Sequence, residues 1–343
     1  MRGRIGLVLT LALLLVAGWW WQERPLRPSV TTRLLMGTLV EISTWGMPEA
    51  LSMRAVALAF DEMTRVEERM SRMRPESELA RINRGQRGQW QPISAELALV
   101  VDRGLAMGRL ASGAFDIGLG SLSDLWGFSL EPPPTRPPPA DRIAGWLAQR
   151  ARQNDAGIER SGESEKKIRL DNAGVGLDLG GIAKGYAVER AVEMLRREGV
   201  QDALINAGGD MRILGSKGGK PWHVGLRDPR DPQGVAAILD LAGEVALSTS
   251  GDYERFFMAD GIRHHHILDP KTGQSARAGL ISVSVQAPDS MTADGLSTAL
   301  FVLGEQAGLA MLRHFPGCEA LLIREDGSHF QTTGFIGRWV KGP

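Results

Sequence analysis

Asp294 and Thr298 are four residues apart in a stretch that is predicted to be helical, so their side chains share one helix face. A carboxylate and a hydroxyl are hard oxygen ligands that suit Mg²⁺ or Ca²⁺, with phosphate and water completing the coordination. The same residues also suit a structural role, because an Asp near a helix N-terminus and a Thr that bonds back to the backbone are both common. The spacing alone leaves both interpretations open.

A glycine-rich turn occurs over residues 177–186, where Asp178 is followed by Gly180, Gly181 and Lys184. The pattern predicts a strand that ends in a glycine pair and a helix with a lysine in its first turn. Glycines let the backbone approach an anion closely, the helix N-terminus offers free N–H groups, and the lysine adds a positive charge. The turn is not a Walker loop, since no Ser or Thr follows the lysine. A tight turn with a solvated lysine fits the local pattern equally well.

Three consecutive histidines, His264 to His266, follow a segment that contains Ser250 and Asp252. Side chains alternate along an extended chain, so at most His264 and His266 share a face. With no cysteine ligand and no helical histidine nearby, the pattern does not favour a zinc site. It favours one histidine as an acid, a base or a phosphate donor, or a histidine that is hydrogen-bonded at a strand end.

Aromatic residues and glycine also cluster in the segments 112–116 and 122–128, which include Phe115 and Trp126. Such residues could wall a planar ring, and they could equally form a core aromatic cluster.

Helices and strands that would position these residues are mixed along the chain without a clean β-α-β alternation, which predicts an α+β fold. Apolar spacing predicts helices over 49–71, from Ser94 as N-cap, over 141–150, 182–197, 292–303 and 305–314. Short β-like runs are predicted over 39–43, 167–170, 175–179, 203–206, 211–214, 223–226, 236–241, 244–248 and 280–286. The proline-rich residues 132–139 predict a stiff surface loop or a boundary between lobes.

Composition excludes several classes of protein. Lys and Arg number 40, equal to Asp and Glu, so the basic excess of a typical nucleic-acid-binding protein is absent. Cys318 is the single cysteine, which rules out a disulfide within the chain and a cysteine-based zinc site.

The N-terminus predicts export. Arg2 and Arg4 precede an apolar run over 5–18 and three tryptophans at 19–21. This arrangement suits a signal peptide or, without a clean cleavage site, an uncleaved anchor whose tryptophans lie at the membrane interface. We expect residues 1–21 to be the signal segment, residues 22–33 a tether, and residues 34–335 the catalytic domain. We therefore expect the protein at the periplasmic face of the inner membrane, and no lipoprotein, since no cysteine follows the run.

Eight short motifs occur in an order that resembles the ApbE family from about residue 34 to 330. They are Met36–Thr38, Met70–Asn83, Gly113–Asp116 with Trp126–Phe128, Asp178–Tyr186, Asn206–Asp210, Ser250–Tyr253, His266–Gly273 and Asp294–Gly304.

The resemblance implies an ApbE-like α+β fold of two lobes, with mixed sheet, flanking helices and a flavin site between the lobes. It implies an FAD:protein FMN transferase, which breaks FAD and moves FMN to a threonine hydroxyl of a partner protein, while AMP leaves. Partners would be FMN-accepting domains, such as subunits of membrane NADH:quinone reductase or Rnf-type electron-transfer complexes.

Residue roles follow from the motifs that match. FAD contacts would be Met36, Met73, Ala114, Phe115, Asp116, Asp178, Lys184 and Leu268. Mg²⁺ would be held by Asp294, Thr298 and the backbone carbonyl of Gly181, and His266 would be the catalytic histidine with Asp252 near it.

Two departures from the family pattern bear on the flavin site. The family often has Tyr where Met73 stands, so an aromatic stack would become a softer sulfur contact. It often has Ala where Gly181 stands, which frees the loop. Two alternatives remain open, an FAD pyrophosphatase that uses water and a flavin-binding protein without catalysis. Storage of flavin needs neither metal nor base, so Asp294, Thr298 and His266 count against the second.

Overall fold

The structure, a computed structural model, describes residues 28–150, 158–161, 166–171 and 174–340. The predicted signal segment and residues 22–27 of the predicted tether lie outside this range. Within it, the chain forms seven α-helices: α1 Glu49–Met70, α2 Glu78–Arg84, α3 Ala95–Leu110, α4 Gly120–Trp126, α5 Ala140–Arg150, α6 Ala183–Arg197 and α7 Ser290–Leu312.

The described residues also form sixteen strands: β1 Ser29–Leu35, β2 Thr38–Trp45, β3 Gln91–Pro92, β4 Ile158–Arg160, β5 Lys167–Leu170, β6 Asp202–Ala207, β7 Asp210–Leu214, β8 Trp222–Arg227, β9 Val235–Leu241, β10 Val245–Gly251, β11 Phe256–Ala259, β12 Ile262–His265, β13 Leu280–Ala287, β14 Glu319–Arg324, β15 His329–Gln331 and β16 Arg338–Trp339. Together with the helices they make the predicted α+β fold.

The central element is an eight-stranded sheet in the order β1-β2-β6-β7-β10-β13-β14-β15. Every neighbouring pair in it is antiparallel. Because successive side chains on a strand point to opposite faces, each strand supplies residues to two layers. Helices α1, α6 and α7 pack on one face, and the small sheet β16-β9-β8 packs on the other.

Helices α6 and α7 approach each other at Gly185. A Cβ at this position would lie 2.2 Å from the carbonyl oxygen of Ser290 and 2.8 Å from Cα of Met291, so only glycine fits here without a shift. This close approach brings the start of α6 against the start of α7, where the residues predicted to do chemistry lie.

Helix α7 is the only described helix that is long and apolar enough to cross a membrane by length and composition. More than half of its most apolar window is buried inside the protein, so it is a core helix. Its backbone breaks at Gly304, where φ is 77°. The two predicted helices over 292–303 and 305–314 are therefore confirmed, joined through this glycine.

Most predicted elements are confirmed within a residue or two of their bounds, and Ser94 is the N-cap of α3, accepting a hydrogen bond from the backbone N–H of Leu97. Residues 132–139 form neither helix nor strand. Two predictions are wrong. Residues 29–33 are not tether but part of β1, which pairs with β2 along its whole length. Residues 175–179 form only one β-bridge, at Gly176, and no strand.

Candidate active site

Three charged side chains meet where α6 and α7 begin. Lys184 forms an ion pair with Asp210 of β7, and its Nζ lies 3.8 Å from Oδ1 of Asp294. The other oxygen of Asp294 accepts a hydrogen bond of 2.9 Å from the backbone N–H of Gly185. Only 3% of each carboxylate side chain is exposed, against 30% of the lysine. One ammonium group therefore faces two carboxylates that water barely reaches.

The charges in this cluster do not cancel. Burial raises the pKa of Asp294, the Asp210 carboxylate raises it further, and Lys184 opposes the shift. The pKa of Lys184 is also raised, because the two carboxylates outweigh the burial that disfavours its charge. When all three groups are ionised the cluster carries one excess negative charge. A bound cation would stabilise this buried excess.

A chain of hydroxyl groups connects the cluster to Thr298. Ser248 donates a hydrogen bond of 2.5 Å to Asp210 and lies 3.2 Å from the hydroxyl of Ser297. Ser250 contacts the hydroxyls of Ser297, at 2.9 Å, and of Thr298, at 3.2 Å. The chain fixes the Thr298 hydroxyl one helical turn from Asp294.

The three predicted metal ligands come from two elements that meet. A Cβ on Gly181, in the turn before α6, would lie 3.2 Å from Oγ1 of Thr298 and 3.1 Å from Cε2 of Phe115. Asp294 and Thr298 lie one turn apart on the same face of α7. A carboxylate, a hydroxyl and a backbone carbonyl are the donors that Mg²⁺ prefers. In the described part of the chain, no three His, Cys, Asp or Glu side chains are grouped so as to hold a metal, so an ion here needs the hydroxyl and carbonyl oxygens.

His266 lies directly after β12, half-buried. Its backbone N–H donates a hydrogen bond of 3.0 Å to the carbonyl of Arg255. Burial lowers the pKa of the imidazole and the charges of His265, Arg255 and Lys184 add to the shift, so that the pKa is about 3. The ring is therefore neutral at pH 7, and its buried Nδ1 has no hydrogen-bond partner among the described residues.

The other two histidines of the run have structural surroundings. His264 packs against Trp126 and Phe257, with ring centroids 5.5 and 5.2 Å away. His265 donates from Nε2 to the carbonyl of Ala276 at 3.0 Å and is 3% exposed. The charge of Lys184 lowers the pKa of His266, which relates this histidine to the charged cluster.

Asp252, predicted to lie near His266, pairs with an arginine. Both of its carboxylate oxygens accept hydrogen bonds of 2.7 Å from Arg230, and Arg263 lies 3.9 Å away. Within the described residues no hydrogen bond or ion pair joins Asp252 to His266. The structure thus gives this carboxylate an arginine partner.

The predicted flavin contacts differ in exposure. Met36 is half-buried in the turn between β1 and β2, and Met73 is 49% exposed. The remaining contacts are buried or paired: Ala114, Phe115 and Leu268 are each under 7% exposed, Asp178 lies 3.4 Å from Arg72, and Asp116 forms an ion pair with Arg150.

One predicted flavin contact, Asp116, has a shifted pKa, and Trp126 of the nearby aromatic segment lies in the core. Burial raises the pKa of Asp116, against the lowering effect of Arg150. Trp126 is 1% exposed and stacks on Phe128, so it belongs to the core aromatic cluster, which was one of the two interpretations of this segment.

Sequence reasoning missed Asp210 and the serines as members of the cluster. Asp210 closes the Asn206–Asp210 motif and Ser250 opens the Ser250–Tyr253 motif, so their place in those motifs was the available signal. Nothing local to Ser248 or Ser297 marks them, because their partners are 38 and 49 residues away in the chain.

Comparison with known proteins places the chain among close relatives. Residues 36–322 match the ApbE family. A protein of Rhodobacter capsulatus named FAD:protein FMN transferase is 34% identical over 330 residues, which are 96% of this chain and 62% of that protein. One of Vibrio cholerae with the same name is 32% identical over 308 residues, 89% of each chain. The chain thus spans less than two thirds of the first relative and most of the second.

Solved structures agree with this relationship. The ApbE protein of Thermotoga maritima superimposes with a TM-score of 0.80 at 34% identity, over 90% of this chain and 97% of that one. The flavin transferase ApbE of Vibrio cholerae superimposes with a TM-score of 0.77 at 30% identity, over 91% and 99%.

Proposed function

The chain belongs to the ApbE family, and from this premise we propose that it is a transferase that moves FMN from FAD to a threonine hydroxyl of another protein and releases AMP. The observation that carries the proposal is the cluster of Lys184, Asp210 and Asp294, whose excess negative charge lies one helical turn from the Thr298 hydroxyl. It suits a site that takes a cation first and a polyanionic pyrophosphate second.

Asp294, Thr298 and the backbone carbonyl of Gly181 would hold Mg²⁺. When bound, Mg²⁺ would neutralise charge on the pyrophosphate and favour departure of the AMP phosphate. Phosphoryl-group transfer asks mainly for such positioning and charge neutralisation. Lys184 supports both the positioning and the charge neutralisation, because its ammonium group fixes Asp210 and favours the ionised form of Asp294.

His266 would accept the proton of the acceptor threonine. The threonine oxygen attacks the phosphorus on the FMN side of the pyrophosphate, and the bond from that phosphorus to the bridging oxygen breaks. AMP leaves with the bridging oxygen, and the threonine proton passes to the imidazole. A general base must be unprotonated beforehand, and a pKa of about 3 satisfies that condition at neutral pH.

The flavin would contact the residues that the family resemblance implies. Phe115 lies beside Gly181 and so joins the predicted flavin contacts to the predicted metal ligands. The other proposed contacts are Met36, Met73, Ala114, Asp116, Asp178, Lys184 and Leu268.

We further propose that residues 1–21 hold the enzyme at the periplasmic face of the inner membrane, where it modifies membrane electron-transfer subunits. Washing membranes with plain buffer and sequencing the mature N-terminus tests this. A protein that begins after residue 18 and washes off would contradict the anchor.

The central test mixes the full chain, FAD, Mg²⁺ and a candidate FMN-accepting domain. Flavin fluorescence that stays on the acceptor in a denaturing gel, with one AMP released per flavin attached, is the expected result. An acceptor whose target threonine is replaced by alanine is the matched control. Free FMN and AMP without a labelled acceptor would instead identify a pyrophosphatase that uses water.

A further inference from the structure

Arg255 lies beside the site, between β10 and β11, with an exposed side chain. One of its terminal nitrogens, Nη2, donates a hydrogen bond of 3.2 Å to the backbone carbonyl of Gly37. Its own carbonyl accepts from the backbone N–H of His266 at 3.0 Å. The arginine therefore connects the turn between β1 and β2 to the loop that carries the histidine.

The guanidinium of Arg255 has no acidic partner in the described part of the chain, in contrast to three arginines around it. Arg227 pairs with Glu254 at 2.5 Å, and Arg230 and Arg263 both lie near Asp252. The positive charge of Arg255 reaches into the site, since it lowers the pKa of His266, whose backbone N–H bonds to the Arg255 carbonyl. An arginine in such a place offers several N–H donors to an anion.

The charge of Lys184, by contrast, is already matched. Its ammonium pairs with Asp210 and lies 3.8 Å from Asp294, so a phosphate would meet two carboxylates behind that lysine. Electrostatics therefore favours the uncompensated arginine as the first positive group that an approaching polyanion meets.

The turn that Arg255 contacts is under strain of a kind often found at ligand sites. Met36 has a positive φ of 54°, and Gly37 follows with 71°. Non-glycine residues rarely adopt this left-handed conformation. A Cβ on Gly37 would lie 2.7 Å from Nη2 of Arg255, so the glycine is what lets the guanidinium reach the carbonyl.

We propose that Arg255 binds the pyrophosphate of FAD, with the Gly37 carbonyl holding its guanidinium in place and its remaining N–H groups donating to phosphate oxygens. The inference rests on the proposed function, since it assumes that a flavin dinucleotide enters this site. It assigns to Arg255 the phosphate contact that the sequence pattern alone assigns to Lys184.

Two ligands that differ in the pyrophosphate test the proposal. FAD and riboflavin share the isoalloxazine ring and the ribityl chain, and only FAD has the pyrophosphate and the adenosine attached to it. Binding of each to the full chain is measured by quenching of flavin fluorescence, with Mg²⁺ and with a chelator. Arg255→Ala should weaken FAD binding about 10- to 100-fold, the loss expected for a charge-assisted hydrogen bond. Riboflavin binding should change less than about twofold, since no phosphate contact is lost.

Arg227→Ala is the matched control, because it removes an arginine whose charge Glu254 already matches; both ligands should bind as in wild type. Arg255→Lys keeps the charge but not the planar donor set, so its FAD affinity should lie between wild type and Arg255→Ala. Melting temperatures identify a variant that does not fold, in which case Arg255→Lys alone provides the comparison.

Equal losses of FAD and riboflavin affinity in Arg255→Ala would overturn the proposal and make the arginine a structural link between two loops. Unchanged FAD affinity would overturn it as well. If the wild-type chain bound FAD far better than riboflavin but labelled no acceptor, the proposed transferase activity would be contradicted. A selective loss of FAD affinity in Arg255→Ala would still support the arginine contact in that case.

Discussion

Lowering the pH from 7 to 4 should destabilise the fold through His265, which anchors the histidine run. His265 is 3% exposed and donates from Nε2 to the carbonyl of Ala276. Its backbone N–H also donates to the hydroxyl of Ser275 at 2.9 Å. Burial lowers the pKa of the imidazole, the hydrogen bond to Ala276 and the Asp252 carboxylate oppose this shift, and the net pKa falls from 6.5 to about 4.

The sign follows from proton binding. Between pH 6.5 and pH 4 the unfolded chain binds a proton at His265 and the folded chain does not, so unfolding becomes easier as the pH falls. Each pH unit in this interval is worth about 1.4 kcal/mol. His265 should therefore contribute about 3 kcal/mol to the free energy of unfolding at pH 7 that is lost by pH 4, a large share of a typical 5–15 kcal/mol.

Urea unfolding at a series of pH values measures this loss. His265→Gln keeps an N–H donor for Ala276 but cannot be protonated, so its free energy of unfolding should depend on pH less steeply than that of wild type. His314→Gln, at an exposed histidine, is the control and should leave the slope unchanged. Identical slopes for wild type and His265→Gln would refute the reasoning.

Three further substitutions probe the site. His266→Ala should keep FAD binding and lose transfer by about a hundred- to ten-thousand-fold, while His264→Ala stays milder; a rate within a few-fold of wild type would remove His266 from the mechanism. Asp294→Asn should bind Mg²⁺ poorly and transfer no FMN although its melting temperature is maintained, and full activity in a chelator would end the metal proposal. Gly181→Ala should stay within a few-fold of wild-type activity, since its Cβ asks only for small shifts of Phe115 and Thr298, whereas Gly181→Val should lose at least about tenfold; equal rates would contradict a tight contact there.

Local pattern predicted much of the fold. The helix over Glu49–Met70 has a regular apolar face and was predicted almost to the residue, and separate helices were predicted on the two sides of Gly304, where the backbone breaks. Strand β1 was missed because four of its seven residues are exposed, which hides the alternation that marks a strand. Its pairing with β2 decides its conformation, and that contact is not local.

The residues of the candidate site were also predicted only where the sequence signal is local. Asp294 and Thr298 share a helix face because of their spacing, and this was readable from the sequence. Asp210 and Ser248 come from strands whose distance along the chain from α7 gives no local sign of contact. The positive φ of Met36 could not be predicted either, because methionine, unlike Asn or Gly, is not typical of a left-handed turn.

The charges of the site also imply an order of binding. Asp210 and Asp294 are buried around one ammonium group, so the cation-free site has a negative interior that repels a pyrophosphate. A divalent cation would reverse that sign before FAD arrives, and the charge of Lys184 favours the ionised form of Asp294 that would receive it. Arg255 lies nearer the surface with its charge unmatched by a described carboxylate, so it attracts FAD whether or not the cation is present. FAD affinity should therefore rise with Mg²⁺ in wild type and in Arg255→Ala alike, and the loss caused by Arg255→Ala should remain in a chelator. If Arg255→Ala lost no FAD affinity in a chelator, the arginine would bind FAD only together with Mg²⁺. That result would contradict separate sites for the cation in the interior and for the phosphate near the surface.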